Sequence, residues 1–145
     1  MTVRIKKLDS GAVIPSYASA GAAGADLYAC MAEPIVIGAG ETALIHTGLA
    51  MEIPAGYVGL VFARSGLALK RSLAPANKVG VIDSDYRGEV MVALHNHGAS
   101  DATVEPGERV AQLVLMPCPQ ALFEEARELE DTSRGAGGFG STGRK

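Results

Sequence analysis

Tryptophan is absent from the 145 residues, and only three Phe and four Tyr are present. The core must therefore be built from Ala, Val, Leu and Ile rather than from large aromatic plates. Cysteine is nearly absent too. Cys30 and Cys118 have no Cys or His neighbour at metal-ligand spacing, which argues against a thiolate metal cage and against a disulfide framework. No apolar run approaches the length of a membrane span. Met1–Ser10 has lysines but no apolar stretch behind them, so no signal peptide is expected. Nor is there an excess of basic charge: 13 Lys and Arg stand against 16 Asp and Glu, a net charge of −3. No bulk field draws the chain to a nucleic-acid polymer or an anionic membrane, although a small anion needs only a few local cations. These absences point to a soluble, cytoplasmic protein with reduced thiols.

What is present is a series of short apolar segments between turn signals. Val3–Leu8, Ile35–Ile37, Ala43–His46, Leu49–Ile53, Tyr57–Ala63, Val79–Ile82, Val90–Leu94 and Val110–Met116 read as strands. Gly38-Ala39-Gly40, Pro54-Ala55-Gly56, Asn96-His97-Gly98 and Pro106-Gly107 are the clearest turns. Many short strands with Gly-rich turns predict an all-β sandwich or barrel. The length suits one domain, which at this size buries roughly 70% of its unfolded surface.

Two segments dissent. Ala68–Arg71, within Arg64–Leu73, suits a helical turn or two. Ala121–Glu130 places Leu122, Ala126 and Leu129 at helical spacing between Glu-rich faces, so propensity favours helix while the all-β pattern does not. Beyond Asp131 the composition changes. Arg134–Lys145 holds five glycines and one aromatic, Phe139, too little apolar surface to bury itself. The organisation expected is a β domain over 1–130 and a flexible arm over 131–145.

Two Gly-rich patterns in the arm fail on context. Gly135-Ala136-Gly137-Gly138-Phe139-Gly140 satisfies G-x-G-x-x-G, but no strand–helix unit surrounds it. Gly138–Lys145 resembles a P-loop that ends in Arg-Lys and lacks the Lys-Ser/Thr pair. The underlying physics survives: glycines let backbone N–H groups approach an anion, and Ser141, Thr142 and Arg134 add donors.

Four further clusters concentrate polar side chains. They are Ala20–Tyr28 around Asp26; Pro54–Gly59 leading into Ala63-Arg64-Ser65-Gly66; Asn77–Glu89; and Pro106–Gln112. Each has a bland explanation alone. Asp26 suits a turn cap, Arg64 a partner for a surface carboxylate, and Gln112 a strand edge. Asn77–Glu89 is the most informative, because Val79, Val81 and the residues after Gly88 read as a hairpin. Its turn then displays Asp83, Ser84, Asp85, Tyr86 and Arg87, and a carboxylate and an aromatic on a turn are placed to face a ligand.

Taken together and in order, the four clusters and the arm resemble the five signature motifs of the trimeric dUTPases, from about Ala20 to the end of the chain. Arg64-Ser65-Gly66, Gly80–Glu89 and Arg134–Gly143 are the long, specific matches. The resemblance implies a jelly-roll-like β-barrel or sandwich with one short helix and a flexible Gly-rich C-terminal arm. It also implies hydrolysis of dUTP to dUMP and pyrophosphate by water attack at the α-phosphorus, lowering dUTP and supplying the dTTP precursor dUMP.

In such an enzyme Asp83 would be the general base. Arg64, Ser65, Gly66 and Gln112 would hold the phosphates, and Arg134 would reach the outer phosphate as an arginine finger does. Asn77 and the backbone of Val81, Ile82 and Met91 would read uracil, while Tyr86 would pack where a 2′-hydroxyl would have to fit. Phe139 would stack on the base as the arm closes, with Gly140, Ser141 and Thr142 over the phosphates. Mg²⁺ would be held mainly by phosphates and water, with Asp26 in the outer sphere. The family's homotrimers build each site from more than one subunit. His46, His95, His97, Asp85 and Arg87 are read as surface or turn residues. Two rivals remain: a dCTP deaminase-type enzyme on the same fold, which depends on a differently placed Glu, and a non-catalytic nucleotide-binding module.

Overall fold

The structure, a computed structural model, describes residues 1–138. In chain order its elements are β1 (Arg4–Lys7), β2 (Ser16–Tyr17), β3 (Ala25–Tyr28), β4 (Ile35–Ile37), β5 (Thr42–Glu52), β6 (Tyr57–Phe62), α1 (Ser65–Arg71), β7 (Leu73–Pro75), β8 (Gly80–Ile82), β9 (Glu89–Asn96), β10 (Ala102–Val104) and β11 (Arg109–Pro117). A four-stranded sheet runs β1-β5-β9-β7, and a five-stranded sheet runs β2-β3-β11-β6-β8. β4 and β10 form a small third pair, and every pairing is antiparallel. The sheets stay open, so of barrel and sandwich the chain adopts the jelly-roll-like sandwich.

The period-two pattern accounts for the packing. In β9 Val90, Val92, Leu94 and Asn96 are buried while the intervening residues are half-exposed. These side chains meet Leu27, Ile45, Leu49, Leu73, Val110 and Leu113 in one aliphatic core. Asn96 is buried without penalty, because its amide donates to the carbonyls of Ile37 and Ser100 and its oxygen accepts the Gly98 N–H.

Several expectations need correction. Ala43–His46 and Leu49–Ile53 are not separate strands; they fuse into β5 across a bulge, where the register jumps between His46–Met91 and Ala50–Glu89. Gly48 in that bulge has φ +66, and a Cβ there would stand 2.9 Å from the Ala12 methyl, so both conformation and space call for glycine. The short strands β2, β3, β7 and β10 carry too few residues for alternation to register. The segment 76–91 is not a paired hairpin either. β8 pairs with β6, while β9 pairs with β5 and β7, so the Asp83 turn carries the chain from one sheet to the other.

Ala121–Glu130 forms neither helix nor strand. Leu122, Phe123 and Leu129 are almost fully exposed; the apolar face that its spacing would create meets nothing in this chain, and packing rather than propensity sustains most helices. No helix of the described residues is long and apolar enough to cross a membrane.

Candidate active site

The candidate residues fall into two groups, set at different ends of β6. The first gathers where β3, β11 and the start of α1 converge. β11 is flanked by β3 and β6, and Gln112 stands in register with Asp26 on one side and Phe62 on the other. Asp26 is 7% exposed. Arg64 Nε donates to its Oδ1 at 2.7 Å, and Arg109 Nη1 donates to its Oδ2 at 3.2 Å. A buried carboxylate is tolerated because both oxygens meet guanidinium donors. The pairing in turn orients Arg64, whose side chain is only a quarter exposed.

Arg64 is also the N-cap of α1 in extended conformation, and no side chain caps the helix. The first-turn N–H groups beside the exposed Ser65 and Gly66 are thus open to an acceptor. Gln112 donates through Nε2 to the Ala63 carbonyl at 2.9 Å, tying β11 to the Arg64 segment. Gly24 lies directly against the Gln112 side chain, so that a Cβ at position 24 would displace it.

The second group surrounds the crossover between β8 and β9. Asp83 is exposed and lines an open cleft of about 620 Å³ with Tyr57, Val58, Val81, Ser84 and Cys118. The Tyr86 N–H donates to the Asp83 carbonyl at 3.2 Å, closing a β-turn. Arg87 braces the turn by donating through Nη1 to the carbonyls of Ser84 and Tyr86. Tyr86 donates its hydroxyl to the Glu89 carbonyl at 3.0 Å, and its ring lies so close over Gly88 that no side chain fits beneath. Asn77 is exposed in the turn before β8, and its amide borders Gly80. Val81 is exposed, Ile82 packs on the core, and Met91 is half-exposed on β9.

One chain does not bring the two groups together. Gly59 pairs with Ile82 and Val61 with Gly80, so Asp83 comes next in register opposite Val58, six residues before Arg64. At about 3.3 Å per residue, Asp83 and Arg64 are roughly 20 Å apart along the strand. Arg134 is exposed and donates through Nε to the Gly137 carbonyl at 2.8 Å. Phe139, Gly140, Ser141 and Thr142 lie outside the described residues.

The structure adds residues that the sequence left without a role. Arg109 completes the hold on Asp26 across the register shift between Arg109 and Ala111, and no spacing rule announces that contact. Glu89 anchors the end of the Asp83 turn: Oε2 meets His46 Nδ1 at 2.9 Å and Oε1 accepts the Gly48 N–H at 2.8 Å. Burial would raise the Glu89 pKa, but hydrogen bonds from His46 and the β5 bulge outweigh it and hold the carboxyl below its usual range.

Comparison with known proteins gives a consistent answer. A family model described as dUTPase matches residues 10–143. A deoxyuridine 5'-triphosphate nucleotidohydrolase from Syntrophotalea carbinolica is 47% identical over 99% of this chain and 97% of its own length. One from Acinetobacter baumannii is 49% identical, covering both chains completely. Among solved structures, a mutant dUTPase of Staphylococcus bacteriophage 80alpha with dUpNHpp superposes at a TM-score of 0.90, with 30% identity over 98% of each chain. A mutant dUTPase from phage phi11 of S. aureus, described as coordinating a structural Mg(II) ion, superposes at 0.81, with 27% identity over 90% of this chain and 100% of that one.

Proposed function

Since the chain belongs to the dUTPase family, we propose that it hydrolyses dUTP to dUMP and pyrophosphate, with the two residue groups acting as halves of one site. The observation that carries this reading is their separation. A base that activates water for attack at the α-phosphorus, and donors that steady the α–β bridge, must both lie within a few ångströms of one phosphorus atom. At roughly 20 Å apart in one chain, Asp83 and Arg64 meet that condition only if they come from different copies. A homotrimer with shared sites supplies the arrangement.

In the assembled site Asp83 accepts a proton from water, and its exposed place on a braced turn suits that task. Arg64, fixed by Asp26, binds phosphate together with Ser65, Gly66 and Gln112; their donors are in place before charge develops, which is how such groups lower a barrier. Asn77 and the backbone at Val81, Ile82 and Met91 read the uracil edge. Cytosine would leave buried donors and acceptors unpaired, which discriminates efficiently. Tyr86 packs against the sugar. Residues 131–145 form an arm that closes over bound nucleotide, bringing Arg134 to the outer phosphate, Phe139 onto the base, and Gly140, Ser141 and Thr142 to the phosphates.

Mg²⁺ fits this donor set in a particular way. Among the described residues no three His, Cys, Asp or Glu side chains cluster as a ligand group, and both oxygens of Asp26 already accept from arginines. Asp26 therefore suits a hard, hydrated cation approached through water, while the nucleotide's phosphates supply the direct ligands. The ion would neutralise phosphate charge. Cys30 and Cys118 are both free thiols, which supports a reducing, cytoplasmic setting.

Pyrophosphate release from dUTP and the four common deoxynucleoside triphosphates, with and without Mg²⁺, tests the proposal. Turnover confined to dUTP and dependent on Mg²⁺ is expected. Ammonia release from dCTP would instead indicate a deaminase, and dUTP binding without turnover a non-catalytic module.

A further inference from the structure

The bulge in β5 lies at the opposite end of a short chain of contacts from Tyr86. Three residues of β5, Thr47 to Leu49, stand between the partners of Met91 and Glu89, where β9 has only Val90. Such a bulge is held in one shape only if its displaced polar groups are satisfied. Two of them end on Glu89. Its Oε1 accepts the Gly48 N–H at 2.8 Å, and its Oε2 meets His46 Nδ1 at 2.9 Å. The Thr47 hydroxyl donates to the Val90 carbonyl next in sequence. The Glu89 main chain then receives the Tyr86 hydroxyl on its carbonyl at 3.0 Å. Gly88 lets the ring lie flat against the turn.

We propose that Glu89 is a positioning residue for sugar discrimination: its carboxylate locks the β5 bulge through His46 and Gly48, and the carbonyl thereby fixed holds Tyr86 against the nucleotide's sugar. The inference rests on the proposed contact between Tyr86 and the deoxyribose. Glu89 itself touches no substrate atom. Its effect reaches the reaction through where the Tyr86 ring is held, so it alters the choice between dUTP and UTP more than the rate of water attack at phosphorus.

The test measures kcat and KM for dUTP and UTP in the assembled enzyme. Glu89→Ala should narrow the dUTP-to-UTP ratio of kcat/KM by about tenfold, the scale of one hydrogen bond to the ring. The change should appear mainly in KM, with kcat for dUTP kept within about threefold. Glu89→Gln retains an oxygen for the Gly48 N–H and should restore most of the ratio. Tyr86→Phe should narrow the ratio to a similar degree, and combining it with Glu89→Ala should add little, because both break the same link. A ratio unchanged in Glu89→Ala while Tyr86→Ala admits UTP overturns this proposal alone. A ratio unchanged in Tyr86→Ala removes the sugar contact, and this proposal with it. Should Glu89→Ala fail to fold, Tyr86→Phe decides: an unchanged ratio there overturns the link.

Discussion

The two ends of β6 hold functional groups by opposite means. At one end a buried carboxylate is gripped by two arginines, and Gln112 and the Ala63 carbonyl stitch the strands together. At the other, Asp83 stands exposed on a turn kept in shape by main-chain hydrogen bonds and the Arg87 brace. The first end has the character of a preorganised anion clamp, where ion pairing supplies both the charge and the rigidity. The second leaves its carboxylate exposed, as a base that must meet water requires. Binding and chemistry thus rest on different physics within one domain, and damage to each should read out differently.

The largest effect separating the two ends is expected from Asp83→Asn. Turnover should fall about 10²–10⁴-fold while dUTP affinity, measured by calorimetry, stays near the parent value. Retained activity would remove Asp83 as the base. Asp26→Asn should act on the other axis. Leaving Arg64 and Arg109 without their shared counter-charge should cost about 3 kcal/mol of stability, seen in denaturant unfolding at fixed chain concentration, and phosphate binding should weaken with it. A variant as stable as the parent would show that the pair of arginines contributes no rigidity.

The smallest effect concerns the Glu89 link and acid. Its folded-state pKa is depressed, so the unfolded chain takes up a proton first as pH falls. The stabilisation is complete above the ordinary glutamate range and is lost as pH drops through that range toward the lower folded value. Glu89→Gln should flatten that part of the acid limb in unfolding measurements; an unchanged slope would mean that the carboxylate contributes nothing there.

Much of this contrast was legible in the sequence, and the reasons for the misses are physical. Residues on long alternating strands, such as Val90 to Leu94, announced themselves through period and composition. Asp83 and Tyr86 stood out because polar and aromatic residues crowd one turn between apolar runs. The Asp26–Arg64–Arg109 cluster depends on contacts across 38 and 83 positions, which no local pattern carries. The β5 bulge hid inside an apolar run, since Thr47 and Gly48 looked like a break between two strands. Residues 121–130 misled differently: their helical spacing describes a face, and within this chain no surface exists to bury it.

Mixing two inactive variants tests the central claim most directly. Asp83→Asn and Arg64→Ala chains, each assembled alone, should be nearly inert. If each site takes Asp83 from one copy and Arg64 from another, co-refolded mixtures should recover dUTP hydrolysis, because some hybrid sites then contain both native side chains. Mixed assemblies that form yet stay as inactive as the parent variants would contradict the divided site.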